Sequence, residues 1–220
     1  MYEMKRLAIL LLTFIPVLTA TAQITHTAKG QVDANAEKIL KKAYDKLNGG
    51  TVSFTVTMVN KNADKSETAR MEADVLYNKG KYRVSFDGNT IYCDGAATWH
   101  WNRASEEVII NKMSTGADDL MNPAALLSNY KKNFNAKYIR TEQSGNAVID
   151  LTPRTTKSYY KIRLYVNATT GTPVRMELHN YDSSSGEYHI TNFKTGQKSA
   201  DSDFAFPQAK HPDVEIIDMR

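Results

Sequence analysis

One cysteine, Cys93, stands in a chain of 220 residues. A lone thiol cannot close an intrachain disulfide, so the fold has to rest on a buried apolar core. Cys93 also lies too far along the chain to be the lipid-bearing first residue of a mature lipoprotein. Charge is nearly balanced: 28 basic against 24 acidic residues, net +4. No basic run reaches five residues, and the basic stripe of a nucleic-acid reader is missing. Catalytic signatures are missing too. There is no G-x-S-x-G elbow, no P-loop, no G-x-G-x-x-G after a strand and no H-E-x-x-H. Glu106-Glu107 and Asp118-Asp119 are adjacent carboxylates, which point apart on a strand and read as surface charge. Nothing marks an orienting partner for Cys93 or His100. The expectation from these residues is no metal site and no nucleic-acid partner.

The first segment is of another kind. MYEMKR carries Lys5 and Arg6, LAILLLTFIPVL follows at 7–18, and Ala20-Thr21-Ala22 has the small-x-small form of a signal peptidase site. A basic head, a short apolar core and a small-residue exit make a secretory signal peptide. The apolar run falls well short of the ~20 residues that span a bilayer, and no second run of membrane length follows. Residues 1–22 are therefore expected to be cleaved near Ala22-Gln23. Residues 23–220 are then expected to be one exported domain.

Periodicity organises the rest. In 31–47 Val32, Ala36, Ile39, Leu40, Ala43, Tyr44 and Leu47 form one apolar helical stripe. Asp33 or Asn35 can cap its start, and Asn48-Gly49-Gly50 stops it. TVSFTVTMV, 51–59, then alternates, with Val52, Phe54, Val56 and Met58 on one side. Alternation returns in 69–77, 81–86, 91–93, 97–102 and 106–113. A second helical break is expected in 118–131, with Asn122 as the cap and Pro123 at the first helical position. Strands resume at 134–141, 146–152, 158–166, 173–181 and 187–194, and a polar tail ends the chain. About eleven short strands with only two helices give a mainly β fold in which strands adjacent in sequence pair antiparallel. A sheet that long curls. It can close as a packed barrel, fold as a sandwich, or stay open as a half-barrel covered by its helices.

Both tryptophans, Trp99 and Trp101, sit two apart on one strand and so share a face. With Phe54, Val56, Tyr82, Val84 and Phe86 they are expected to build an aromatic and aliphatic inner wall. If the hairpin near Ser183–Gly186 is symmetric about position 184, His179 faces His189, a pair that could hold a metal weakly. Arg175, Glu177 and Glu187 share that alternation, which reads as an outer solvated face. Asn167-Ala168-Thr169 is a glycosylation acceptor tripeptide, a weak signal.

Six segments together resemble the outer-membrane lipoprotein carrier protein family, the periplasmic LolA family. They are YDKLNGGTVSFTV (44–56), DVLYNKGKYRVSF (74–86), DGAATWHWN (94–102), NPAALL (122–127), LTPR (151–154) and FAFPQAKHPDVEIID (204–218). Their order and spacing span nearly the whole mature chain, and the D-G-x-x-x-W-x-aromatic-N stretch is the most specific. The resemblance implies an unclosed antiparallel β-barrel with an α-helical lid, whose cavity takes up lipoprotein acyl chains in the periplasm, and a protein that is not an enzyme and has no cofactor. It implies as partners acylated lipoproteins, an inner-membrane lipoprotein-releasing ABC transporter and an outer-membrane acceptor, with the carrier itself a monomer. The sheet side of the cavity would be Val52, Phe54, Val56, Met58, Val75, Tyr82, Val84, Phe86, Trp99 and Trp101. The lid side would be Ile39, Leu40, Tyr44, Leu126 and Leu127. Lys79-Gly80 stands where the family has an arginine-proline lid latch, so Lys79 becomes the latch candidate, with the charge kept and the planar fork of donors lost. Gly50 and Val56 stand where the family often has an aromatic and a glutamine. A lipid- or lipoprotein-sensing regulatory protein of the same fold is the alternative, and a secreted hydrolase or metal-binding β protein a third.

Overall fold

The structure, a computed structural model, describes residues 33–113 and 123–220. The expected leader, Val32, Leu120, Met121 and the Asn122 cap lie outside them. Helix α1 spans Ala34–Asn48 and buries Ala36, Ile39, Leu40, Ala43 and Leu47, the expected stripe. Asp33 caps it: its Oδ1 accepts the N–H groups of Asn35 at 2.9 Å and Ala36 at 3.2 Å. Two of the free donors of the first turn are satisfied in this way. Helix α2 spans Pro123–Asn133.

Twelve strands form one sheet: β1 Val52–Lys61, β2 Glu67–Asn78, β3 Lys81–Phe86, β4 Asn89–Cys93, β5 Ala97–Asn102, β6 Glu107–Lys112, β7 Phe134–Thr141, β8 Asn146–Pro153, β9 Tyr159–Asn167, β10 Pro173–Asn180, β11 Ser185–Thr195 and β12 Glu215–Asp218. Their order is β12-β6-β5-β4-β3-β2-β1-β11-β10-β9-β8-β7. Edge strands β12 and β7 do not pair, so the barrel is unclosed. Two antiparallel meanders meet where β1 pairs β11, Val56 opposite Ile190.

Two expectations need correction. The count is twelve, because the tail, expected to be a plain polar end, contributes β12. This strand runs parallel to β6, Ile216 beside Val108. Only two apolar residues between Glu215 and Asp218 mark it, and a parallel partner a hundred residues away leaves no local signal. The β10–β11 hairpin turns two residues earlier than expected, with Asn180 N–H bonded to Ser184 O at 3.1 Å. His179 therefore faces Ser185 and His189 faces Arg175, so no histidine pair forms.

The inner face of the sheet carries one continuous core, with both helices seated on it. Helix α1 is fixed at both ends and in the middle. At its start the second Asp33 oxygen accepts the Tyr138 N–H at 3.3 Å. Midway, Lys42 Nζ donates to Ala168 O at 2.9 Å. Beneath it, at Gly171 (φ +74°), a Cβ would sit 2.7 Å from the Lys42 carbonyl oxygen, so only glycine lets the β9–β10 turn pass under the helix. At its end Tyr77 Oη donates to Asn48 Oδ1 at 3.4 Å.

Candidate functional site

Between the sheet and the helices lies an apolar cavity of about 110 Å³. Strand β1 sends Phe54, Val56 and Met58 to it, an i, i+2 set. Across the β1–β2 and β2–β3 pairings, Val75 joins opposite Phe54 and Val84 opposite Val75. The other meander adds Leu164, Met176, Tyr188, Ile190 and Phe193. Helix α1 contributes Ala43 and Leu47, and α2 contributes Leu126 and Leu127.

Seven of the expected cavity residues therefore line it: Phe54, Val56, Met58, Val75, Val84, Leu126 and Leu127. Val52, Tyr82, Ile39 and Leu40 are buried in the same core, and Phe86 packs against it, but none of them reaches the cavity wall. Tyr44 lies at the helix edge, 36% exposed.

Trp99 and Trp101 are the clear correction. They do share a face, but it is the outer one. Tyr92 opposes Trp99 across β4, and with Ala97, Val108, Ile110 and Phe206 these residues form a second, separate cluster. Phe206 stands 5.4 Å from the Trp101 ring, His211 4.5 Å from it, and Arg103 lies over it at 4.7 Å. Strand alternation tells which residues share a face and not which face turns inward. Here the returning tail supplies the apolar cover that makes an outer aromatic face stable.

Phe193 was invisible to the alternation, which carries Tyr188 and Ile190 inward and would send Phe193 out. A bulge reverses it: the β1–β11 register shifts between Ser53 and Thr55, and Asn192 takes φ +53°. Phe193 then faces inward and stacks on Phe54 at 5.7 Å and 13°. Ala43, Leu47, Ala73, Leu164, Met176 and Ile190 were legible as apolar positions, yet no local signal told cavity wall from packed core.

Charge stays at the margin. Arg175, the one charged residue on the wall, has its guanidinium 3.8 Å over the Tyr165 ring and 3.2 Å from Glu177, both on the outer side of the sheet. Burial pushes the Tyr188 hydroxyl above its ordinary pKa, so it stays neutral. Among the described residues no group of three or more His, Cys, Asp or Glu is placed to hold a metal.

Lys79 is exposed in the two-residue β2–β3 turn at φ +49°, followed by Gly80 at φ +94°, the backbone of a type I′ hairpin. It has no ion-pair partner among the described residues. The contact from this hairpin to α1 runs through Tyr77, whose Oη accepts the Gly80 N–H at 2.8 Å and donates to Asn48. Burial pushes the Tyr77 pKa up to about 12, against the pull of the Gly80 N–H. Cys93 is buried beside the same turn, Sγ 3.9 Å from Gly80 O.

Comparison with known proteins gives the chain its relatives. A conserved protein from Thermus thermophilus superposes with a TM-score of 0.57 at 14% identity, over 83% of this chain and 98% of that one. That likeness establishes the fold. A LolA superfamily protein from Nitrosomonas europaea matches with TM-score 0.44 at 16% identity, over 78% of this chain and 97% of the other. An outer membrane lipoprotein-sorting protein domain from Vibrio parahaemolyticus matches with TM-score 0.44 at 17% identity, over 77% and 95%. No curated protein matches the sequence. The model of the family described as outer membrane lipoprotein carrier protein LolA matches residues 80–207, more than half of the chain. The chain belongs to the LolA outer membrane lipoprotein carrier family.

Proposed function

We propose that this protein is a periplasmic carrier that takes up lipoprotein acyl chains in its cavity and moves them from the inner to the outer membrane. One observation carries the reading: in a member of this family, a predominantly apolar cavity lies between a half-barrel and two helices. Each buried CH₂ is worth about 0.8 kcal/mol, so exposing one long acyl chain to water costs on the order of 10 kcal/mol. A lipoprotein cannot cross an aqueous compartment at that cost. A smooth apolar wall binds such a chain without fixing its register, which also lets it leave.

Size defines the state of the cavity. A void of ~150 Å³ lined by Leu, Ile and Phe is what admits a benzene. At about 110 Å³ this cavity is smaller than that, so a whole acyl chain fits only when the walls move apart. Helix α1 is held to the sheet by Asp33, Lys42 and Asn48, which leaves α2 as the wall that lifts. The proposal includes export through cleavage near Ala22-Gln23 and a single working domain, 23–220. It also includes receipt from a releasing ABC transporter, delivery to an outer-membrane acceptor, and a surface role for Lys79 at the rim of the lid.

The test is native mass spectrometry of protein purified without detergent from a membrane-containing host. Bound acylated protein or phospholipid is expected, and Val56→Asp or Leu127→Asp should remove it while far-UV circular dichroism is kept. Folded variants that hold lipid like the parent would refute the cavity assignment.

A further inference from the structure

Toward the β10–β11 hairpin the wall of the apolar cavity carries a hydroxyl, that of Tyr188. Register sets Tyr188 between Met58 on β1 and Met176 on β10, all three on the inner face. Burial alone raises its pKa: no charge and no hydrogen bond acts on the hydroxyl. Yet the residue is only half-buried, and its hydroxyl is not sealed from solvent as that of Thr90 is. A neutral donor with no partner therefore stands at the open edge of an apolar wall.

The ring of Tyr188 lies along its own strand, over Gly186. A Cβ built on Gly186 would stand 3.4 Å from the ring, 3.6 Å from the Tyr188 hydroxyl and 3.5 Å from Asn60 Oδ1. Asn60 is the β1 partner of Gly186 and is exposed, and Leu178 is its partner on β10. Among the described residues the Asn60 side chain makes no hydrogen bond. The φ of Gly186 lies outside the left-handed region, so the backbone itself does not call for glycine. What the glycine leaves is space, in which a ligand can approach the strand closely. Two unpaired polar groups face that space, and Leu178, Met58 and Met176 border it.

The charges of the neighbouring positions are turned to the other face. Lys61 pairs there with Glu187 at 2.6 Å and Arg175 with Glu177 at 3.2 Å. The niche over Gly186 is thus lined by neutral groups. A carboxylate or phosphate would enter it without a counter-charge, at the cost of its hydration. A bare alkyl chain would leave both polar groups unpaired. We infer that the niche binds the ester or amide carbonyl at the head of an acyl chain, with the Tyr188 hydroxyl and the Asn60 amide N–H donating to its oxygen. The inference rests on the lipid-carrier reading and deepens it. The apolar wall sets no depth for the chain, and the niche sets where its head stops. Tyr188, Gly186 and Asn60 all belong to β1 and β11, so the niche stays in place when the helices move.

The experiment compares two single-chain lipids that differ only in the carbonyl: palmitoyl lysophosphatidylcholine, an ester, and its hexadecyl ether. Each competes with a fluorescent fatty acid for the delipidated protein, below the concentration at which micelles form. The ester should bind about tenfold more tightly than the ether, as two neutral hydrogen bonds would give. Tyr188→Phe and Asn60→Ala should each cut that ratio to about threefold. Asn60 is exposed, so its variant remains informative even if Tyr188→Phe repacks the wall. Gly186→Ala, which fills the niche without removing a polar group, should also lower the ratio. Ester and ether binding equally to the parent would overturn the niche and leave the lipid cavity standing. An undiminished ratio in both Tyr188→Phe and Asn60→Ala would likewise overturn it. Binding of neither lipid would refute the carrier reading and this inference with it.

Discussion

Three single residues, Gly171, Asn192 and Tyr77, each fix a local feature of the fold. Gly171 is the tightest, since its backbone at φ +74° passes under the Lys42 carbonyl with no room for a Cβ. Gly171→Ala both strains the backbone and pushes α1 off its seat, and should cost about 1–3 kcal/mol in urea unfolding. Asn192 holds φ +53°, a left-handed conformation that asparagine tolerates better than a β-branched residue. Without that bulge Phe193 would face solvent and Phe54 would lose its stacking partner. Tyr77 couples stability to pH. Its folded pKa of about 12 lies above the ordinary tyrosine value of 10.0, so folding favours the protonated form. The contribution is therefore full below pH 10 and is lost as pH rises toward 12. Melting temperature should fall through that window, and Tyr77→Phe should flatten the fall. An equal fall in the variant would assign it to the other buried tyrosines.

At the scale of elements, Asp33 does two things at once, capping α1 and receiving the Tyr138 N–H from β7. The β7–β8 register breaks just after Tyr138, which frees that N–H from the ladder. Asp33→Ala should cost about 1–2 kcal/mol in thermal or urea unfolding, at the upper end for a cap because a strand donor is orphaned as well. The helix itself was legible, since stripe, cap and Asn48-Gly49 stop all lie within one short segment. So were the antiparallel strands, each carrying its own alternation and turn. What escaped was whatever depends on a distant partner. Ile216 and Ile217 form a strand only because β6 offers a free edge, and the inner side of β5 is set by Phe206, more than a hundred residues on. The same limit divides the cavity. Phe54, Val56 and Met58 could be named from one strand, whereas Phe193 needed a bulge created by pairing with β1. Removal of residues 206–220 should uncover Trp101, which loses Phe206 and His211, and shift tryptophan emission to the red while lipid retention persists. Loss of lipid with the tail would instead tie the outer cluster to the cavity.

For the whole molecule the question is how a cavity this small widens to take an acyl chain. The two helices meet in a packed contact, and an ion pair between Glu37 of α1 and Lys131 of α2 ties them at the surface. Both groups are half exposed, so the tie is weak and open to salt. Screening lengths shrink from about 8 Å at 0.15 M to about 3 Å at 1 M salt. Apolar packing plus an exposed ion pair holds the two helices together yet leaves them separable at small cost, which suits the loading and release that the proposed carrier role requires. Lys131→Ala should speed uptake of a fluorescent fatty acid a few-fold at low salt. The parent should approach the same rate as salt rises, beyond the general salt effect on apolar binding that the variant itself reports. If parent and variant load at the same rate at low salt, the ion pair does not hold the lid. The barrier would then lie in the contacts of Leu126, Leu127 and Tyr130 with the core, where Tyr130→Ala should accelerate loading instead.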